Sequence, residues 1–152
     1  MTRNTVLLKT VLLAGTAGGM TEVLWVTLYS WVTATSSTVV ARQITATVWP
    51  AAAQWTFAPA LGIAIHMTLA LALAAAIVPL LLHFAARSLE EGAIILVAVS
   101  VLAVVWAVNF FLVLPRVNPA FIALMPYGAT LTSKLLFAVA MAGVVYYAPR
   151  TA

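Results

Sequence analysis

Only three acidic residues occur in 152, and one of them, Glu22, sits in the apolar stretch "GGMTEVLWVTLYSW" spanning Gly18 to Trp31. Three more polar side chains interrupt apolar runs elsewhere: His66, Asn109 and Lys134. A carboxylate, an imidazole and an ammonium group are the parts from which intramembrane ion pairs, proton relays and ion pathways are made. An isolated charge at mid-bilayer costs about 3 kcal/mol on insertion scales, so Glu22 requires a partner of opposite sign at similar depth. Lys134 meets that requirement. The spacing predicts a Glu22–Lys134 ion pair, extended by His66, Asn109 and Arg42.

The elements that must carry these residues follow from composition. With 65% hydrophobic and 7% charged residues, the chain lacks the polar surface of a soluble globule. The apolar runs reach about 20 residues or more, which fits helices and not the roughly 10-residue alternating strands of an outer-membrane barrel. The fold class is therefore an all-α membrane protein, a single four-transmembrane-helix bundle over residues 1–152, with spans near 6–32, 60–84, 92–114 and 120–147. The last opens at Pro119 or at Tyr127, because Pro126 and Gly128 interrupt it and predict a bend before the final helix. The first would be about 40 Å long as one helix, more than a bilayer core, and so should tilt or let Lys9 reach the interface. Its opening also resembles a signal peptide, but the apolar pattern continues past the glycines, and an uncleaved first span is the expectation.

Depth along each span sets the geometry. Counted from the far end of span one, Glu22 lies about 15 Å in; His66, Asn109 and Lys134 lie about 7 to 9 Å in from the same side. Helical phase places Gly15, Gly18 and Gly19 on the face of Glu22, with Gly15 and Gly19 forming a GxxxG pair, so that face should meet another helix at close range. Tyr127, Thr130, Ala138 and Met141 share the side of Lys134.

Between spans one and two, Val40, Ile44 and Val48 recur at helical spacing within 38–49, and Pro50 closes the segment; a short amphipathic helix lies there, on the surface or re-entering the bundle. Arg3, Lys9, Arg87 and Arg150 fall on the face of the termini and Arg42 and Arg116 on the other, which by the positive-inside rule makes both termini cytoplasmic. Trp25, Trp31, Trp49 and Trp55 mark the outer boundary, and Tyr146 and Tyr147 the inner one.

Several chemistries are excluded. The chain has no cysteine and no aspartate, which removes thiolate chemistry, disulfides, Cys-ligated metals and a Ser-His-Asp triad. The net charge of +4 is spread between apolar runs without interleaved aromatics, so nucleic acid is not a partner. The two histidines, His66 and His83, lie about 25 Å apart along one helix, too far to clamp one haem. Met20, Met67 and Met125 near His66 read as packing before copper ligands. No cofactor, metal site or catalytic constellation is expected.

The segments "ARQITATVW", "GIAIHMTLALAL", "VNFFLVLP" and "SKLLFAVAMAGVVYY" together resemble a group of small bacterial four-span membrane proteins of uncharacterised function, some of whose members carry a sodium:proline symporter label. The resemblance implies that Arg42, His66 and Asn109 occupy recurring polar positions and that Lys134 stands where many members have histidine. A chain of this size has none of the inverted repeats of such a symporter, so the label does not transfer. The resulting expectation is a non-enzymatic protein of the bacterial inner membrane, an accessory or interaction subunit that forms homo-oligomers or joins a larger complex through small-residue faces such as Gly15/Gly19 and "ALALAAA". The alternative is a small proton-linked transporter or channel built on Glu22, His66 and Lys134.

Overall fold

In a computed structural model, residues 2–86 and 90–148 are described. Seven α-helices follow one another in that part of the chain: α1 (Arg3–Val32), α2 (Ser37–Val48), α3 (Ala58–Ala86), α4 (Glu91–Val108), α5 (Leu114–Val117), α6 (Pro119–Leu124) and α7 (Tyr127–Tyr147). A 3-10 turn (Pro50–Gln54) joins α2 to α3, and a π-helical turn (Asn109–Val113) joins α4 to α5. Four stretches are long and apolar enough to cross a membrane: Asn4–Val32, Ala58–Ala85, Glu91–Val117 and Tyr127–Tyr147. The protein is an integral membrane protein with an all-α four-helix bundle.

Its hydroxyl-rich first helix suits lipid because those hydroxyls bond within the helix. Thr10, Thr21, Thr27 and Ser30 each donate to the carbonyl four residues earlier, so none needs water. The long helices are apolar all round, as they must be when one side faces protein and the other acyl chains. Large side chains such as Leu8, Leu24, Leu69 and Leu96 are accordingly exposed.

The helices pack antiparallel. α1 lies between α3 and α7, α7 also packs on α4, and α3 meets α4 much more sparsely. The core holds Ala14 from α1, Ala74, Val78 and Leu81 from α3, Ile94, Ala98 and Leu102 from α4, and Phe137, Met141 and Val145 from α7. An even number of spans sets both termini at one end of the bundle, the near end, with α2, α5 and α6 at the far end.

Three expectations are narrowed or shifted. Of the two openings expected for the last span, Tyr127 is the one found: Pro126 makes the expected bend, so the span near 120–147 shortens to Tyr127–Tyr147 and α6 stands as a separate two-turn cap. The expected amphipathic helix forms, but its buried face is Val40, Ala41 and Thr45, while Val48 is exposed. The reason is Gly62 of α3, where an added Cβ would stand 1.9 Å from the Ala41 carbonyl oxygen; this contact demands small residues on α2. Finally, Arg87 and Arg150, two of the six basic residues from which the orientation was read, lie outside the described residues.

Candidate functional site

Gly15, Gly18 and Gly19 bring α1 against its neighbours closely enough to bury a carboxylate. A Cβ on Gly15 would meet Leu71 and Ala74, and one on Gly19 would meet Ala70 and Met67, all at 2.9 to 3.1 Å, so the GxxxG pair seats α3. Gly18 faces α7, where a Cβ would press on the Phe137 ring at 2.9 Å. The Gly15/Gly19 face is consumed inside the chain, and Ala70 and Ala74 of "ALALAAA" belong to the same interface, while its Ala72, Ala75 and Ala76 stay exposed. The expectation that Gly15 and Gly19 offer packing surface to a second protein is corrected by this geometry.

One turn beyond Gly18 on α1, Glu22 is 5% exposed and meets α7 and α3 together. Lys134 Nζ donates to Oε2 at 3.1 Å and pairs with the carboxylate at 2.8 Å from Oε1. Ser133 Oγ donates to Oε1 at 3.4 Å. His66 Nε2 donates to the Gly19 carbonyl at 3.3 Å and stands 3.7 Å from Glu22 Oε2. The ammonium also lies over the Phe137 ring, 5.0 Å from its centre, so the ring that Gly18 admits supports the cation. Glu22, Lys134 and His66 thus form one cluster, as the depth count implied.

Asn109 and Arg42 do not join it. Trp106 of α4 donates its indole N–H to Thr130 of α7, which fixes the relative height of the two helices. Asn109 stands about one turn farther out than Trp106, and Lys134 one turn farther in than Thr130, so about two turns separate them. The Asn109 side chain is exposed and makes no hydrogen bond among the described residues. Arg42 donates instead to the carbonyls of Ala53 and Trp55, at 2.6 and 3.0 Å, and pins the 3-10 turn to α2 at the far end.

The cluster opens on a cavity of about 680 Å³. Glu22, His66, Asn109, Ser133 and Lys134 line its polar side, and the rest of its wall is mostly apolar. Lys134 and His66 side chains are 19% and 22% exposed, against 7% for Glu22, so the cavity meets the cation and the imidazole more than the acid. Glu22, His66 and Lys134 are the ionisable side chains of that wall among the described residues. α2 and α6 cover the far end.

Other residues that position the site were absent from the sequence reading. Asn118 Nδ2 donates to the Gln43 carbonyl, Gln43 Oε1 and Thr47 Oγ1, clasping α6 to α2, while its Oδ1 caps α6 at Phe121. Thr45 donates to the Ala58 carbonyl at 2.6 Å and ties α2 to the start of α3. Trp25, expected as a boundary residue, donates its indole N–H to the Ala129 carbonyl and braces α1 against α7 above the ion pair. Ser133 was recoverable from the polar run "TLTSK"; the Asn118 clasp joins residues more than 70 positions apart and left no local signal. No three His, Cys, Asp or Glu side chains among the described residues group closely enough to share a metal ion.

In comparisons with known proteins, no family model, no curated protein and no solved structure matches this chain. The chemistry of the site therefore has to be read from its own residues.

Proposed function

We propose that the protein is a small, non-enzymatic, proton-linked membrane carrier whose ionisable element is the Glu22–Lys134–His66 cluster. One observation carries the reading: the cluster stands on the wall of a cavity instead of being sealed in the core. A polar network that only fixes helix register has no need of such a space. Here the imidazole is anchored through Nε2, and its Nδ1 makes no hydrogen bond among the described residues. With Nε2 donating, Nδ1 carries the lone pair that can receive a proton in a relay along the cavity wall, while Lys134 holds the carboxylate.

The test is proton movement in proteoliposomes carrying an internal pH dye, under an imposed potassium diffusion potential. Wild-type protein should dissipate the gradient well above protein-free vesicles, and Glu22→Gln and His66→Ala should each lower the rate at least tenfold. A wild-type rate equal to that of empty vesicles, or one indifferent to both substitutions, overturns the reading.

A second reading, an interaction subunit of a bacterial inner-membrane complex or homo-oligomer, draws on a different place. Near the termini α1 and α7 leave a groove lined by Val6, Leu13, Val139, Ala140 and Gly143, and a Cβ at Gly143 would meet nothing within 4 Å. A small residue facing open space on a lipid-side groove is where a partner helix packs closely.

A further inference from the structure

The cavity does not stop at the charged cluster. From His66 it follows α3 down through Leu69, Ala72, Leu73 and Ala76, about 15 Å and past the middle of the bilayer, with Val105 of α4 also on its wall. Leu69, Ala72 and Ala76 are exposed as well as lining it. This is the side on which α3 and α4 pack sparsely, so the space communicates with the lipid between those two helices. It has two chemically different ends: a long apolar slot at acyl-chain depth, and a head region made by Lys134 and His66.

The head region has a sign. Glu22 lies behind Lys134, whose Nζ donates to Oε2 and stands 2.8 Å from Oε1, and His66 Nε2 donates to the Gly19 carbonyl beside them. The Glu22–Lys134 pair is neutral as a unit. With the Lys134 side chain 19% exposed and that of Glu22 7%, the cavity meets the positive end of the pair, and an anionic head is the complement of that end. Resting on the carrier reading above, we infer that the molecule taken up is a single-chain amphipath with an anionic head, entering sideways between α3 and α4 with its chain along Leu69–Ala76 and its head against Lys134 and His66. A volume of about 680 Å³ lies within the range that encloses a small ligand of this kind. The head chemistry, a carboxylate or a phosphate monoester on one acyl chain, is common to free fatty acids and lysophosphatidates.

Photo-crosslinking of the full-length protein in neutral detergent tests this. Four probes carry the same diazirine-bearing C16 chain and differ in head: carboxylate, lysophosphatidate, alcohol and trimethylammonium. Peptide mass spectrometry should place adducts from an anionic probe on 69–76 and 105–110, at least tenfold above the alcohol and the ammonium, and displaceable by the unlabelled anion. Labelling by the carboxylate alone identifies fatty acid as the source, and by the phosphate alone lysophosphatidate; either upholds the inference. The Glu22→Gln/Lys134→Gln double variant removes the pair without stranding a charge and should lose at least tenfold of that labelling, and Ala76→Phe, which fills the slot away from the charges, should abolish adducts on α3. Equal labelling by all four heads, or adducts confined to lipid-facing residues outside the slot, overturns it. The comparison of heads is made on wild-type protein, so a variant that fails to fold does not decide the matter. Failure here with Glu22-dependent proton flux intact would remove the ligand class and leave the carrier; selective labelling without flux would do the reverse.

Discussion

At the scale of single residues, the energetics turn on which charge is left behind. Glu22 is buried with its oxygens held by Lys134, Ser133 and, at longer range, His66. Removing one member of a buried pair strands the other, at a cost of about 3 to 5 kcal/mol, whereas removing both members together is far cheaper. Lys134→Met alone should therefore destabilise the bundle by about 3 kcal/mol or more, and Glu22→Gln/Lys134→Met should recover most of that loss. Reversible unfolding in detergent, read as a double-mutant cycle, measures the coupling; additive single effects would show that the two groups do not depend on each other.

At the scale of elements, glycine positions decide which helices touch. Gly62 is the extreme case, since its missing Cβ is the only reason the Ala41 carbonyl can stand where it does. Backbone, unlike a flexible side-chain tip, cannot step aside, so Gly62→Ala should push α2 off α3 and break the Thr45–Ala58 hydrogen bond. The chain has no cysteine, so a Thr45→Cys background, compared with and without the glycine substitution, reports the displacement of α2. Thr45 is fully buried, and maleimide labelling at that position should rise at least tenfold when Gly62→Ala is added. An unchanged labelling rate would mean that α2 is held by something other than this contact. Since α2 also contributes Val40, Ala41, Ile44 and Thr47 to the cavity wall, the same substitution should open the far end of the site.

At the scale of the whole molecule, the bundle is uneven. α1 is packed against both neighbours, whereas α3 and α4 diverge, and the cavity occupies the gap. A second unfilled place is the groove at Gly143 near the termini. If that groove seats a partner helix, Gly143→Leu should reduce association in native mass spectrometry of the mildly extracted protein by at least tenfold while Gly143→Ala changes little. Retention of every assembly in the Leu variant would eliminate the interaction reading at this surface. Gly15 and Gly19 are unsuited to that test, because enlarging either one disrupts contact between α1 and α3 of the same chain.

The sequence by itself determined that the chain lives in lipid and crosses it four times, because hydrophobicity sustained over more than 18 residues and the cost of bare backbone in hydrocarbon leave few alternatives. It also determined which acid and which cation must meet, since the cost of an unpaired charge and the 1.5 Å rise of a helix are enough to match Glu22 with Lys134. Depth is a one-dimensional quantity and can be counted along the chain. Direction around and between helices is not. Only the tertiary structure decided that Gly15 and Gly19 face α3, that Arg42 turns to the loop carbonyls, and that Asn109 stands about two turns from Lys134. The cavity belongs to the same class of facts: it arises from the divergence of α3 and α4, which depends on the sum of side-chain shapes at every contact and has no local signature in the chain.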